Sequence, residues 1–409
     1  MSSYKLKLAI IFDQDVLSGG GFQQAINASL VASKINENIS EVKFYSTKKN
    51  GARRLINYGI KAKFIKINLI KRILLYFKTS FRYRIIYKFI SLFYQYNFFE
   101  SFLLKDDINI VYFISPSRFA LDLDSLNYIF TVWDTCHRDH VEFPEVRINS
   151  EFEEREFRLN NALKKATAII AESEYGKNNL LKRYNLERER IKIIPLEPGT
   201  KIKSQINNQI NCLDNLKKFN INNRFIFYPA QFWPHKNHIY IIDGIKILIE
   251  KYDINISAVF SGSDKGNKKF IKKYVGLNNL EKNIIFTNFI SDEEITYLYL
   301  NCIALVMPTY FGPTNIPPYE AFRLGTPVLY PEELGIQDNI EDAILPIKYE
   351  DPNTMASQIN KLLNDEQLRQ NYIKKGYEKN KFLEKIDRTE ILNNILIDFR
   401  RKFLCSKEF

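Results

Sequence analysis

An α/β protein of two doubly wound parallel sheets facing a cleft is the fold class this sequence predicts. Three observations predict it. The chain has 409 residues, and two domains of about 200 residues are the default at that length. Short apolar runs alternate with longer amphipathic segments, the pattern of a parallel sheet covered on both faces. The pattern starts at Leu6, fades in a polar stretch and restarts at Phe225.

The elements follow in order. Leu6–Phe12 reads as a buried strand, followed by a glycine loop, Ser18–Gly21, and a helix from Phe22. Further strands are expected at Asn109–Ile114, Tyr128–Val132, Thr167–Ala171 and Ile191–Pro195. Ser150-x-x-Glu153 has the spacing of a capping box. Residues around Pro198–Asn223 are rich in Asn, Lys and Gln, lack periodicity and read as a linker. The second half places strands at Phe225–Pro229, Ile256–Ser261, Asn283–Phe289, Ala304–Met307 and Pro327–Tyr330, with Ser291-x-x-Glu294 capping a helix between them. The domains expected are 1–197 and 198–385, with 386–409 a C-terminal helix that could cross back to the first. Ligands of such sheets bind at the carboxyl ends of strands.

Composition narrows the class. Hydrophobic residues make up 45% of the chain, enough for folded cores. The opening "MSSYKLKLAIIFDQD" does not read as a signal peptide, because its apolar core Leu8–Phe12 is short and runs into Asp13. No uncharged apolar run reaches the roughly 18 residues of a membrane span. Four cysteines lie far apart, with no Cys-x-x-Cys pair, which suits a reducing cytosol better than a disulfide framework or zinc ribbon.

The net charge of +12 is unevenly placed. Val42–Phe99 contains fourteen Lys or Arg and no Asp or Glu, so the rest of the chain is slightly acidic. Such a patch favours an anionic partner at one place, and an anionic membrane surface is the expectation. No nucleic-acid motif accompanies it, and no nucleic-acid partner is expected. Within it, Ile70, Leu74, Phe77, Phe81, Ile85, Phe89 and Leu92 form one helical stripe, interrupted by Lys88. That stripe is either a partly buried helix or an aromatic, basic face that meets a bilayer.

Several clusters carry possible chemistry. "SGGGFQQ" puts three glycines before a helix, where backbone N–H groups can approach a phosphate; a plain tight turn fits the same residues. Asp13-Gln14-Asp15 has the form of a metal-binding Asp-x-Asp, and His137, His140, His235 and His238 form two pairs of ordinary zinc ligands. The flanking "VWD" and "FWP" read as strand end and turn, and no metal site is expected. Lys236, in "YPAQFWPHKNH", lies between a strand and a helix start. A cation there opposes the helix dipole until an anion such as a diphosphate arrives; a solvated loop lysine is the plain alternative. In "TYFGPTNIPPYEAFRLGTPVLYPE", Pro317 and Pro318 suit a first helical turn, and Gly312 and Asn315 allow a sharp loop. N–H groups at Thr314, Asn315 and Ile316 suit phosphate or sugar oxygens, and Glu320 suits vicinal hydroxyls. A dipole-stabilised glutamate beside a structural turn is the alternative.

Between about Leu8 and Ile347 these stretches resemble, in order, the motifs of bacterial family-four glycosyltransferases, retaining enzymes of two Rossmann-like domains (the GT-B architecture). "VWDTCHRDHVEFPEV" is similar to their H-D-L-x-H…F-P-E, and "AIIAESEYGKNNLLKRYNLERERIKIIPLEPG" to V-S-E-x-S-K…I-x-V-I-P-x-G. "QFWPHKNH" resembles G-R-x-x-x-x-K-N, "FSGSDKGN" and "IIFTNFISDEEITYLY" fit the segments that follow, and "FGPTNIPPYEAFRLGTPVL" resembles F-G-L-P-x-x-E-A-x-A-x-G-x-P-V.

The resemblance implies that Lys236 binds the donor diphosphate and Glu320 the nucleotide ribose. Thr314, Asn315 and Ile316 would offer backbone contacts, with Gln231, Gly262 and Ile290 on the same donor side. Gly20 and Gly21 would approach the diphosphate from the first domain. Asp134 and His137 would be the catalytic residues lining the acceptor side. No cofactor or metal is implied, since N–H groups, helix dipoles and Lys236 can stabilise the leaving diphosphate. The implied reaction moves a hexose or deoxyhexose, with retention, from a nucleoside-diphosphate sugar to a lipid-linked glycan in envelope polysaccharide synthesis. It would run on the inner face of the cytoplasmic membrane. Three residues depart from the family: Gln231 replaces an Arg, Trp133 a His, and Gly312 the first of two glutamates. They point to a subgroup with an altered F-G-P-T-N loop. An inactive partner subunit and a sugar-nucleotide epimerase of the same fold are the alternatives.

Overall fold

The structure, a computed structural model, describes residues 4–14, 20–92, 96–199, 218–287, 290–312 and 315–406. The chain forms two compact units. The first comprises Met1–Glu142, Val146–Leu196 and Asp387–Phe409; the second comprises Phe143–Glu145 and Glu197–Ile386. Most of the polar stretch read as a linker, and also Asp15, Ser18, Gly19 and Thr314, lie outside the described residues.

The sheet of the first unit has seven parallel strands: β1 Leu6–Phe12, β2 Ser40–Ser46, β3 Ala62–Phe64, β4 Ile110–Phe113, β5 Asn127–Thr131, β6 Ala168–Ala171 and β7 Ile191–Ile193. Their order is β3-β2-β1-β4-β5-β6-β7. Successive side chains of a strand point to opposite faces. Thus Ala9 and Ile11 join Phe113 and Phe130 in one core, and Ile10 and Phe12 join Ile129 in another. The second core is closed by Leu392, Ile395, Leu396 and Phe399 of the helix Arg388–Phe403.

Six parallel strands form the second sheet: β8 Phe225–Pro229, β9 Ser257–Ser261, β10 Ile284–Thr287, β11 Leu305–Val306, β12 Val328–Pro331 and β13 Leu345–Ile347. Their order is β10-β9-β8-β11-β12-β13. In each unit the order reverses beside the first strand, and the carboxyl ends flanking that reversal are where ligands of such sheets bind. They are the ends of β1 and β4 in one unit and of β8 and β11 in the other.

Two sequence expectations need correction. Ser150 does not cap the helix Glu151–Lys165. It has φ 57°, and its side chain makes no capping bond. Asn149 and Ser150 are both left-handed, whereas a capping residue takes an extended backbone. By contrast, Ser291 and Glu294 form a full reciprocal cap. The stripe from Ile70 to Leu92 is not one helix. It is two, Leu69–Thr79 and Arg84–Ser91. The carboxylate of Glu154 breaks it by accepting from Ser80 Oγ and from the N–H groups of Phe81 (3.1 Å) and Arg82 (3.4 Å). No described helix is long and apolar enough to cross a membrane.

Candidate active site

Of the residues expected on the donor side, Gln231 and Lys236 follow β8, and Asn315 and Ile316 follow β11. After β8 the chain makes one tight helical turn, Pro234–Lys236, then passes through Asn237 at φ 51° into the helix His238–Tyr252. Tyr228 OH donates to the carbonyl of Lys236 at 3.0 Å and fixes that turn. The Lys236 ammonium reaches across to Thr309 Oγ1, just past β11, at 3.3 Å. Gly262 is set by packing: a side-chain carbon there would fall 2.2 Å from the Ala230 carbonyl oxygen. Gln231 accepts at Oε1 from Trp233 Nε1 at 3.0 Å.

The loop after β11 leads into the helix Ile316–Arg323, with prolines in its first turn. Asn315 Nδ2 donates to the Phe311 carbonyl (3.0 Å) and to Tyr330 OH (2.7 Å), and Tyr330 OH donates to Asp338 (3.1 Å). Glu320 accepts from Tyr299 OH at 3.1 Å. Burial pushes its pKa up to about 7, against the opposing hydrogen bonds from Tyr299 and the Gly199 N–H. A side-chain carbon on Gly312 would stand 3.0 Å from Leu334 Cδ2. A larger side chain there would meet Leu334 first. Ile290 and Ile316 are buried, so what they offer a ligand is main chain.

Sequence reasoning missed Glu145. Its Oε1 accepts from the His235 N–H at 3.1 Å and meets His235 Nδ1 at 2.5 Å. Burial acts to raise its pKa, but the bonds from His235 outweigh it and hold the carboxylate below its usual range. The His235 ring stacks on Phe311, centroids 4.1 Å apart, and Phe143 meets Phe311 edge-on. The "F-P-E" of the sequence therefore clamps the turn that carries Lys236. The signal was the quoted motif itself, read only as a resemblance.

In the first unit, Gly21 lies near the start of the helix Gly20–Ala32. A side-chain carbon on it would sit 2.9 Å from the Trp133 ring. Its smallness thus makes room for the Trp133 indole. Asp134 accepts from the Cys136 N–H at 3.0 Å and pairs with Arg155 at 3.4 Å. His137 corrects the expectation of a catalytic residue that lines the reaction centre. It is fully buried, with Nε2 2.7 Å from Glu156 Oε1. Burial lowers its pKa, so the ring stays neutral against Glu156. Burial also acts to raise the pKa of Glu156, but Arg138, His137 and Tyr184 bond to it and hold it at about 2. Asp13 is likewise held inside, accepting from Thr47 Oγ1 and from Ser117 Oγ (2.6 Å), with its pKa raised by burial.

The four histidines go separate ways. His137 meets Glu156, His235 meets Glu145, and His140 lies 3.6 Å from Glu142. His238 is packed among Phe232, Tyr228 and Phe260, and burial drives its pKa down to about 3. Among the described residues no three His, Cys, Asp or Glu side chains gather as a metal would need.

Residues 214–379 match the family model of Glycosyl transferases group 1. The chain is 26% identical, over 203 residues, to the O-antigen chain mannosyltransferase RfbU of Salmonella typhimurium, a match covering 50% of this chain and 53% of that protein. It is 21% identical, over 228 residues, to O-antigen chain mannosyltransferase B of Escherichia coli, covering 56% and 59%. It thus spans little more than half the length of these curated relatives. Among solved structures, a glycosyltransferase from Rickettsia africae superposes with TM-score 0.65 at 13% identity, covering 98% of this chain and 99% of that one. Anabaena Alr3699/HepE in complex with UDP-glucose gives 0.66 at 12%, covering 97% and 100%. WaaG, a glycosyltransferase involved in lipopolysaccharide biosynthesis, gives 0.64 at 16%, covering 95% and 98%. These likenesses show the fold: two Rossmann-like parallel-sheet units, as in GT-B glycosyltransferases.

Proposed function

We propose that the chain is a retaining glycosyltransferase that moves a hexose or deoxyhexose from a nucleoside-diphosphate sugar to a lipid-linked glycan in envelope polysaccharide synthesis. One observation carries it: the Lys236 ammonium held on Thr309 between the ends of β8 and β11, inside the segment that matches group 1 glycosyltransferases. Lys236 takes the diphosphate, and Glu320 takes ribose hydroxyls. Main-chain groups at Thr314, Asn315, Ile316 and Ile290, with Gln231 and Gly262, complete the donor side; Gly20 and Gly21 are assigned phosphate contacts. Asp134 faces the acceptor, and buried His137 positions that loop. Neither a metal nor a cofactor is assigned, because fixed cationic and N–H dipoles stabilise the departing diphosphate. The names of the O-antigen mannosyltransferases support the sugar class and the pathway. The UDP-glucose complex of the Anabaena protein supports the donor class.

The acceptor is placed on an anionic membrane surface at the inner face of the cytoplasmic membrane. Support comes from Leu69, Ile70, Ile85 and Phe89, all exposed on helices that also expose Lys71, Arg72 and Lys88, and from exposed Leu92 just after the second. The Gln231 and Gly312 departures favour, as a second reading, an inactive partner subunit. The test is a panel of nucleotide sugars followed by melting temperature, then product analysis with and without a glycan acceptor. One sugar nucleotide raises the melting temperature, and its sugar moves to the acceptor. Donor binding without turnover supports the inactive partner, and a changed sugar nucleotide without acceptor supports an epimerase.

A further inference from the structure

The proposed reaction gives Glu145 no task, yet its surroundings are closely built. It lies in Phe143–Glu145, the short segment that belongs to the second unit. Its side chain and that of His235 are both buried. Oε1 takes both contacts with His235, the N–H at 3.1 Å and Nδ1 at 2.5 Å. Oε2 is buried, with no hydrogen-bond partner among the described residues. The carboxylate is thus committed to His235.

His235 in turn joins two strand ends. It follows β8, and its carbonyl accepts from the Tyr310 N–H, past β11, at 2.9 Å. Its ring lies on Phe311. Tyr310 and Phe311 come directly after Thr309, which receives the Lys236 ammonium. Lys236 comes directly after His235, and Tyr228 holds its carbonyl. His235 therefore fixes the Lys236 main chain against Thr309, and Glu145 fixes His235.

A lysine carries its charge on a flexible four-carbon stem, and ordering that stem costs entropy. A group ordered before its ligand arrives binds it better. Gln231 brings no charge, so Lys236 is the only cation that the proposed donor side assigns to the diphosphate. As a bare charge, Glu145 would have the opposite effect, because an anion beside that turn repels another anion.

We propose that Glu145 is a positioning residue for the donor diphosphate, acting through His235 to hold Lys236 and Thr309 in register. This rests on the function proposed above, in which Lys236 takes the diphosphate.

The test is a double-mutant cycle, read by calorimetric titration of the full chain with UDP, GDP and dTDP and evaluated for the tightest of the three. Lys236→Ala weakens binding. Glu145→Ala weakens it about tenfold beside an intact Lys236, but less than about twofold in the Lys236→Ala chain, because its effect runs through that ammonium. Glu145→Gln keeps an oxygen for both His235 contacts and binds within about twofold of the wild type. Should circular dichroism show Glu145→Ala unfolded, Glu145→Asp, one carbon short of His235, carries the same expectation. An equal loss in both backgrounds makes Glu145 a stabiliser of the fold only and overturns the inference. Unchanged or tighter binding in Glu145→Ala overturns it too, as does a loss in Glu145→Gln that equals the loss in Glu145→Ala. If no nucleotide binds, or Lys236→Ala binds like the wild type, the proposed donor site falls and the inference with it. If Lys236→Ala alone weakens binding, the inference falls and that site stands.

Discussion

The two units share a parallel sheet and differ in what stands at its carboxyl end. In the second unit each candidate side chain already has a protein partner: Lys236 has Thr309, Glu320 has Tyr299, Asn315 has Tyr330, and Gln231 has Trp233. In the first, among the described residues, Arg158 Nε is buried without a hydrogen-bond partner, and a pair of helices exposes leucine, isoleucine and phenylalanine. The family match falls on the second. The contrast separates a site built in advance for one kind of ligand from a surface completed by whatever it meets.

The sharpest way to break that contrast is to damage one unit alone. Lys78 and Asp122 form a buried pair at 2.9 Å in the first unit. Asp122→Ala strands the lysine and destabilises by about 3–5 kcal/mol. Denaturant unfolding shows the first unit lost at a lower midpoint while donor binding by the second survives; joint loss would mean the units are not energetically separate.

Next in size is the membrane contact. Replacing Lys71, Arg72 and Lys88 with Glu abolishes sedimentation with anionic vesicles, at about 1 kcal/mol for each well-placed cation. High salt weakens the wild-type contact in the same assay, because exposed charges are screened. A wild-type protein that ignores such vesicles at low salt removes the membrane from the proposal. Lys78 is left alone because it lies inside the fold.

The donor side comes third. Lys236→Ala and Glu320→Ala each weaken donor binding by roughly 1.5–3 kcal/mol, the range for a charge-assisted hydrogen bond. Circular dichroism stays native. Unaltered affinity in either variant cancels that assignment.

The smallest effect is in pH. With a pKa of about 7, Glu320 is mostly protonated at pH 6 and mostly ionised at pH 8. Only the carboxylate accepts from both ribose hydroxyls, so donor affinity rises between those values by at most about tenfold. Glu320→Gln flattens the profile. The same raised pKa makes the free protein lose stability as pH climbs from about 4.5 through 7, since the folded state prefers the protonated acid.

The sequence made the central strands legible because they are unbroken apolar runs, such as LKLAIIF in β1 and FIFYP in β8. It hid β2, β3 and β13. β2 is half-exposed, β3 has three residues at a sheet edge, and β13 is an edge strand of three residues with Pro346 at its centre. Lys236 and Glu320 were visible because their loops are local and rich in glycine and proline. Glu145 with His235, and Lys78 with Asp122, were not. Their partners lie 90 and 44 residues apart, and no local spacing encodes a contact of that kind. The failed cap at Ser150 shows the converse: the motif was present, and a left-handed backbone disabled it.

The helix Arg388–Phe403 also bears on how the molecule comes into being. It closes an apolar core whose other members lie within the first 170 residues. A ribosome adding about 5–20 residues per second needs roughly 10–40 s to pass from Leu196 to Arg388. Throughout that interval the second unit can fold as it emerges, while Ile10, Phe12 and Ile129 wait for a helix not yet made. The first unit begins earlier and finishes later, and its uncovered face is what a chaperone would meet on the nascent chain.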